Sequence, residues 1–277
     1  MVLKFKRILI FILNNIKFLR HKRSQRIEVH NLIKEKERIS ALPRYQDGCF
    51  MLNEQIIKFT DSASFLFMYN EIIEKQIYYF NTDADKPFII DAGANIGLSI
   101  IFFKSLFPKA IILGFEPDPR SFKILKSNID QFGFSDIEVL QKGVWDRPAT
   151  LNFFTEGADG GRIALETDKE NIIKINTIRL KDYLNKHVDF LKIDIEGAET
   201  NVLKDCADAL NNVDKIFVEY HSFVNHAQNL HSLLNVLSEA GFRYNIQQIG
   251  VFSPTPFIEI LSFLNMDNQL NIFAYRI

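Results

Sequence analysis

The chain places carboxylates where apolar runs end. In FIIDAGANIG, Phe88 to Gly97, Asp91 closes one apolar run, and Gly93 and Gly97 turn the chain into the next. Glycine permits a tight turn and lets backbone approach a ligand closely. A dinucleotide fingerprint needs G-x-G-x-x-G. Here three residues separate Gly93 from Gly97, and Asn95 stands where the middle glycine would be. Pyrophosphate is cradled by such a glycine turn and the helix N-terminus. A carboxylate just upstream suits a less anionic nucleoside. S-adenosylmethionine has no phosphate and a cationic amino group, and it fits this turn. The simpler alternative is a strand-to-helix turn with no ligand.

Glu116 follows Asp91 by 25 positions, at the end of the apolar run in GFEPDP. A carboxylate on the neighbouring strand end can accept hydrogen bonds from both ribose hydroxyls. It signals a nucleoside without saying which. The alternative is an acid ahead of Pro117 favoured by a helix dipole. In FLKIDIEGAE, Lys192, Asp194 and Glu196 alternate with Leu191, Ile193 and Ile195, which puts the three charges on one strand face. A buried Lys192–Asp194 pair would satisfy both groups and do nothing more. The functional reading sets Asp194 beside a transferring methyl group, positioning substrate or cofactor. In FVEYHS, Glu219 and His221 again share a face. A histidine titrating near neutral pH can accept a hydroxyl proton, with Asp194 or Glu196 as substitutes in that role. A structural histidine is the plain alternative. Asp194, Glu196, Glu219 and His221 could also form an oxygen-rich metal site, but their spacing is unspecific and no metal ligand is assigned.

These residues need strand ends to hold them. From Pro87 onward, apolar runs alternate with helical patterns: FIID and a helix stopping at Pro108, then AIILGFE and a helix over DPRSFKILKSNIDQFG. In that helix Asp118 suits the N-cap, Pro119 the first position and Gly133 the stop. DIEVLQ, VDFLKIDI and DKIFVEY are further strands, and FRYNI and NIFAYRI close the chain. Strand–helix alternation predicts a Rossmann-like, doubly wound α/β sheet that binds ligands beyond its carboxyl ends. The stretch from Thr150 to Leu180 reads as a hairpin beside the sheet. Residues 1–40 read as a basic helical leader, 41–86 as an N-terminal segment of short strands and a helix, and 87–277 as the main domain. Aromatic and branched residues in SFLFMYNEII favour a strand there, while MYNEIIEKQIYYF reads as a helix with Ile72, Ile73, Ile77 and Phe80 on one face.

Hydrophobic residues make up 47% of the chain, which is globular in composition. The net charge of −1 argues against a nucleic-acid partner for the whole protein. Cys49 and Cys206 have no metal-type spacing and read as reduced thiols of a cytoplasmic protein. Residues 1–26 carry eight Lys or Arg and no acid. Their apolar run is too short to span a membrane. This leader fits either an ordinary packed helix or one that lies on an anionic membrane surface or a partner.

FIIDAGANIGLS, GFEPDP, DFLKIDIEGAE and VEYHS, in that order, resemble the FkbM-type methyltransferases over about residues 87–247. QIIKFTDSASFLFMYNEII is similar to the N-terminal segment of members found with surface-polysaccharide genes. The resemblance implies a seven-stranded, mostly parallel sheet whose last strand runs antiparallel. It implies S-adenosyl-L-methionine as cofactor, with Asp91, Gly93, Asn95 and Gly97 around its methionine and ribose portions and Glu116 on the ribose. Gly143 and Val144 would lie near the adenine, with Trp145 beside them, and Asp194 and Glu196 on the substrate side. The expected activity is O-methylation of a sugar hydroxyl in surface polysaccharide or glycolipid synthesis, at the inner face of the membrane if residues 1–27 hold it there. The alternatives are a nicotinamide-dependent oxidoreductase, which the broken glycine fingerprint disfavours, and a non-catalytic module of a glycan assembly complex. The acceptor and the oligomeric state are not legible.

Overall fold

The computed structural model describes residues 22–52, 55–158, 160–164, 168–224 and 226–276. The basic leader lies outside the described residues as far as residue 21. Helix α1, Lys22–Ser40, is followed by the antiparallel hairpin β1, Gly48–Leu52, and β2, Gln55–Phe59. Helix α2, Ser62–Met68, then runs into a π-helical turn, Tyr69–Glu74. This corrects the strand expected over SFLFMYNEII and agrees with the helix expected over MYNEIIEKQIYYF as far as Glu74. Phe65, Tyr69 and Ile72 fall at helical spacing and are buried beneath the hairpin, with Phe65 against Phe50 and Phe59. Asp61 caps the helix by accepting from the Ser64 N–H at 2.9 Å. A capped, buried helix face here overrides β propensity, which is mostly a statement about packing context.

The main body follows as β3, Phe88–Ala92; α3, Leu98–Leu106; β4, Ile111–Phe115; α4, Pro119–Phe132; and β5, Ile137–Leu140. Then come β6, Gly143–Trp145; β7, Thr150–Phe154; β8, Arg162–Ile163; and β9, Ile172–Arg179. The chain ends through β10, Phe190–Ile193; α5, Glu199–Cys206; β11, Lys215–Phe223; α6, Leu230–Glu239; β12, Arg243–Ile249; and β13, Met266–Tyr275. Asp118 caps α4 through the N–H groups of Arg120 and Ser121, and Gly133 ends it in the left-handed region.

Seven strands form one sheet in the order β12-β13-β11-β10-β3-β4-β5. It is parallel except for β13, which runs antiparallel to both β11 and β12. Strands β3 and β10 sit at the centre and are buried on both faces, as in parallel sheets covered by helices. One face packs on α5 and α6. The other packs on α3, α4 and the aromatic N-terminal segment. The expected hairpin is β7 with β9, and it grows into a second sheet of order β6-β9-β7-β8. Both cysteines are free thiols. Among the described residues no helix is long and apolar enough to cross a membrane.

Candidate active site

Beyond the carboxyl ends of β3, β4 and β10 lies a cavity of about 410 Å³, a usual size for a small-ligand site. After β3 the chain turns at Gly93 with φ 91°, and the N–H groups of Gly93 and Ala94 both donate to the Phe115 carbonyl at 3.0 and 2.9 Å. A Cβ on Gly93 would stand 1.8 Å from the Asp194 carbonyl oxygen, so only glycine lets this turn close against the end of β10. Asn95 is also left-handed, at φ 47°. Its N–H donates to Glu116 Oε2 at 2.9 Å, and the Asp118 N–H donates to Oε1 at 2.8 Å.

Glu116 is 7% exposed and lines the cavity. Burial pushes its carboxyl up to about 8, against the pull of the two N–H donors. A vicinal diol would bring this carboxylate the two further donors its buried site lacks. The Asn95 Oδ1 is buried without a hydrogen-bond partner and faces the same space. Gly143 and Val144, on β6, line the cavity too, and a Cβ on Gly143 would meet Ile175 at 2.8 Å. These residues fit the nucleoside of S-adenosylmethionine: a carboxylate for the ribose and an uncharged, close-packed wall.

Three of the residues expected at or beside the cofactor do not line the cavity. Asp91 is fully buried and does not line the cavity. It accepts from the Ser99 hydroxyl, and its other oxygen lies 3.3 Å from Lys192 Nζ. Gly97, at φ 85°, starts α3, where an added Cβ would meet the Leu125 side chain at 3.4 Å, and it too lies off the cavity wall. Trp145 is absent from the cavity wall, although Val144 before it is present.

Lys192 joins the two halves of the site. Its ammonium donates to the Gly93 carbonyl at 2.7 Å and lies 3.1 Å from Asp194. Burial opposes its charge, but Asp194 and Asp91 outweigh burial and keep it protonated well above the usual lysine range. The structural pair thus exists, while Asp194, its side chain 24% exposed, still faces the cavity. Glu196 and Glu219 line the cavity beside it. Glu196 holds a left-handed backbone at φ 55°, a conformation that costs energy in a non-glycine residue and often marks a functional site.

His221 sits behind these carboxylates and does not reach the cavity wall. Its Nδ1 is 3.1 Å from Glu199, and its Nε2 is 3.4 Å from Glu219 and 3.5 Å from Glu196. Burial disfavours a charged ring, but Glu196 and Glu199 override it and raise the imidazole well above its ordinary value. A ring so held is not the neutral base expected from the sequence. Glu199, which the sequence reading left unassigned, also accepts from the Gly197 N–H at 2.9 Å.

The remaining walls come from segments that carry no motif. Phe67, Glu71, Ile72 and Tyr78 reach in from the N-terminal segment, and Phe153 and Ile175 from the second sheet. The π-helical turn supplies Glu71 and Ile72, and such turns recur at functional sites. The available signal was the helical spacing of Phe65, Tyr69 and Ile72.

Comparison with known proteins agrees with this geometry. The family described as "Methyltransferase FkbM domain" matches residues 91–244. Methyltransferase 1 of Beauveria bassiana is 30% identical over 179 residues, covering 55% of this chain and 72% of that protein. The 2-O-methyltransferase NoeI of Sinorhizobium fredii is 26% identical over 157 residues, covering 48% and 63%. The hexuronic acid methyltransferase AglP of Haloferax volcanii is 28% identical over 165 residues, covering 58% and 65%.

Proposed function

The chain belongs to the FkbM methyltransferase family, whose cofactor is S-adenosylmethionine, and we propose that it methylates a sugar hydroxyl in polysaccharide or glycolipid synthesis. The observation that carries this reading is the acidic end of the cavity, where Asp194, Glu196 and Glu219 share one wall. A wall of hydrogen-bond acceptors suits a polyhydroxyl acceptor, which offers many donors. Two relatives whose names specify an O-methyl transfer and a hexuronic acid support the same class. Membership in the family removes the nicotinamide and non-catalytic alternatives.

S-adenosylmethionine supplies a methyl group already activated by its positive sulfur. The protein's own work is alignment, exclusion of water and removal of the hydroxyl proton. Glu116 and Asn95 fix the nucleoside end. Asp194, itself fixed by Lys192, positions the acceptor end. Asp194 spends its charge on Lys192, and His221 lies behind the wall. Glu196 is the proton acceptor in this reading, because it lines the cavity and holds the left-handed backbone, φ 55°, that marks functional positions. A placed base of this kind contributes about 10²–10⁴-fold.

A peripheral membrane position is part of the proposal. The basic leader supports it, and so does the segment between β12 and β13. There Phe252, Phe257, Ile258 and Phe263 are exposed, at the end of β12 where Ile249 lines the cavity. Apolar side chains beside a site and a basic segment are the two parts of interfacial binding.

The test uses ¹³C-methyl S-adenosylmethionine with hexoses, uronic acids, amino sugars and glycolipids, read by NMR. A methyl ether on a sugar carbon is expected. A methyl group on nitrogen, or on acceptors without sugar, overturns the reading.

A further inference from the structure

The acidic end of the cavity concentrates negative charge. Asp91, Asp194, Glu196, Glu199 and Glu219 lie around Lys192 and His221. Within this group one carboxylate oxygen each of Asp194 and Glu219 and one ring nitrogen of His221 all lie within 4.8 Å of one another. We propose that Asp194, Glu219 and His221 form a binding site for a divalent cation of the magnesium or manganese type.

Two further observations point to a ligand there. The Nε2 of His221, a residue 4% exposed, is aimed between Glu219 at 3.4 Å and Glu196 at 3.5 Å without a well-formed hydrogen bond. Asn271 is 1% exposed, its Oδ1 is also without a partner, and it lines the same cavity. The β11–β13 register sets Asn271 directly opposite Glu219, so their side chains stand on one face of the sheet. A buried acceptor left unpaired is costly; a cation would satisfy the amide oxygen and take the place of the proton on the ring nitrogen, which is released on binding.

The surroundings are those of a metal-binding histidine. Such a ring commonly gives its other N–H to a carboxylate, which fixes tautomer and orientation. Here the Nδ1 of His221 faces Glu199 at 3.1 Å, and Glu199 is itself fully buried and held by the Gly197 N–H. That leaves Nε2 directed at Glu219 and Glu196. Lys192 approaches Asp194 on Oδ2, and a carboxylate can bridge an ammonium and an ion through its two oxygens. Two carboxylates, an amide oxygen and one imidazole suit a hard divalent ion in preference to a thiophilic one.

The cation's role rests on the proposed hydroxyl methylation. An ion on the acceptor wall would bind the reacting hydroxyl together with a neighbouring oxygen of the sugar, and would ease loss of the hydroxyl proton to Glu196. Its existence rests only on the donor geometry.

The test titrates the full chain, loaded with S-adenosylhomocysteine, with Mn²⁺ alone and follows the loss of the free-ion signal by electron paramagnetic resonance. One ion per chain is expected. In Glu219→Gln and in Asn271→Ala its affinity should fall at least about tenfold, as metal-site substitutions typically do. S-adenosylhomocysteine binding by calorimetry should be retained in both. If Glu219→Gln loses both ligands, it has misfolded and Asn271→Ala decides. No uptake by the wild type, or equal uptake by the wild type and the folded variants, overturns the site. Mn²⁺ uptake without methylation of any hydroxyl would overturn the acceptor reading and leave the site standing. Hydroxyl methylation without Mn²⁺ uptake would do the reverse.

Discussion

Glu116→Gln should remove a pH dependence from the stability of the cofactor-free protein. Burial pushes the Glu116 carboxyl from the ordinary 4.5 up to about 8. In the unfolded chain it ionises near 4.5, so between those values the folded state holds a proton that the unfolded state has lost. The stabilisation is complete below about pH 4.5 and fades as pH rises through about 8. The full difference is on the order of 5 kcal/mol, of which about 2 kcal/mol is lost between about pH 6 and pH 8. Glutamine cannot ionise; its NH2 faces one of the two N–H donors where an acid oxygen would accept, but that loss is the same at every pH. The assay is urea unfolding of both proteins at several pH values. Wild-type stability should fall about 2 kcal/mol more than the variant's over that window. Parallel curves would mean that Glu116 is ionised throughout, and the burial argument would be refuted.

Three further outcomes follow from the site. Glu196→Gln should lower kcat by about 10²–10⁴-fold, with S-adenosylhomocysteine affinity changed by less than about threefold, as expected for a base that does not touch the nucleoside. An unchanged kcat would move the base elsewhere. Gly93→Ala places a Cβ against the Asp194 carbonyl and forces alanine to φ 91°. It should cost more than about 3 kcal/mol in thermal unfolding, and a loss under about 1 kcal/mol would show that the turn is free to move. Deleting residues 1–27 should reduce flotation with anionic vesicles, and equal flotation would remove the leader from membrane binding.

The sheet was legible because its signals are local. Apolar strands, the Asp118–Pro119 start and Gly133 stop of α4, and the carboxylates at strand ends lie within a few residues of the features they announce. Of the residues singled out in the sequence, Gly93, Asn95, Glu116, Gly143, Val144, Asp194 and Glu196 line the cavity directly. Asp91 and His221 differ because their partners come from other elements. Lys192 on β10 takes up Asp91, and Glu199 at the start of α5 takes up His221. No spacing within one strand reveals that. SFLFMYNEII misleads for a related reason: its aromatic residues favour a strand in isolation, while the hairpin above them rewards a helix face.

The direct test of the cofactor site is a calorimetric titration of the purified full chain and of Glu116→Ala with S-adenosylhomocysteine. Removing a buried carboxylate that receives both ribose hydroxyls should cost at least about 2 kcal/mol, or roughly 30-fold in Kd. The account predicts one saturable site in the wild type and that loss or more in the variant. Equal affinity in a folded variant would contradict it, because the ribose would then lie somewhere other than on Glu116.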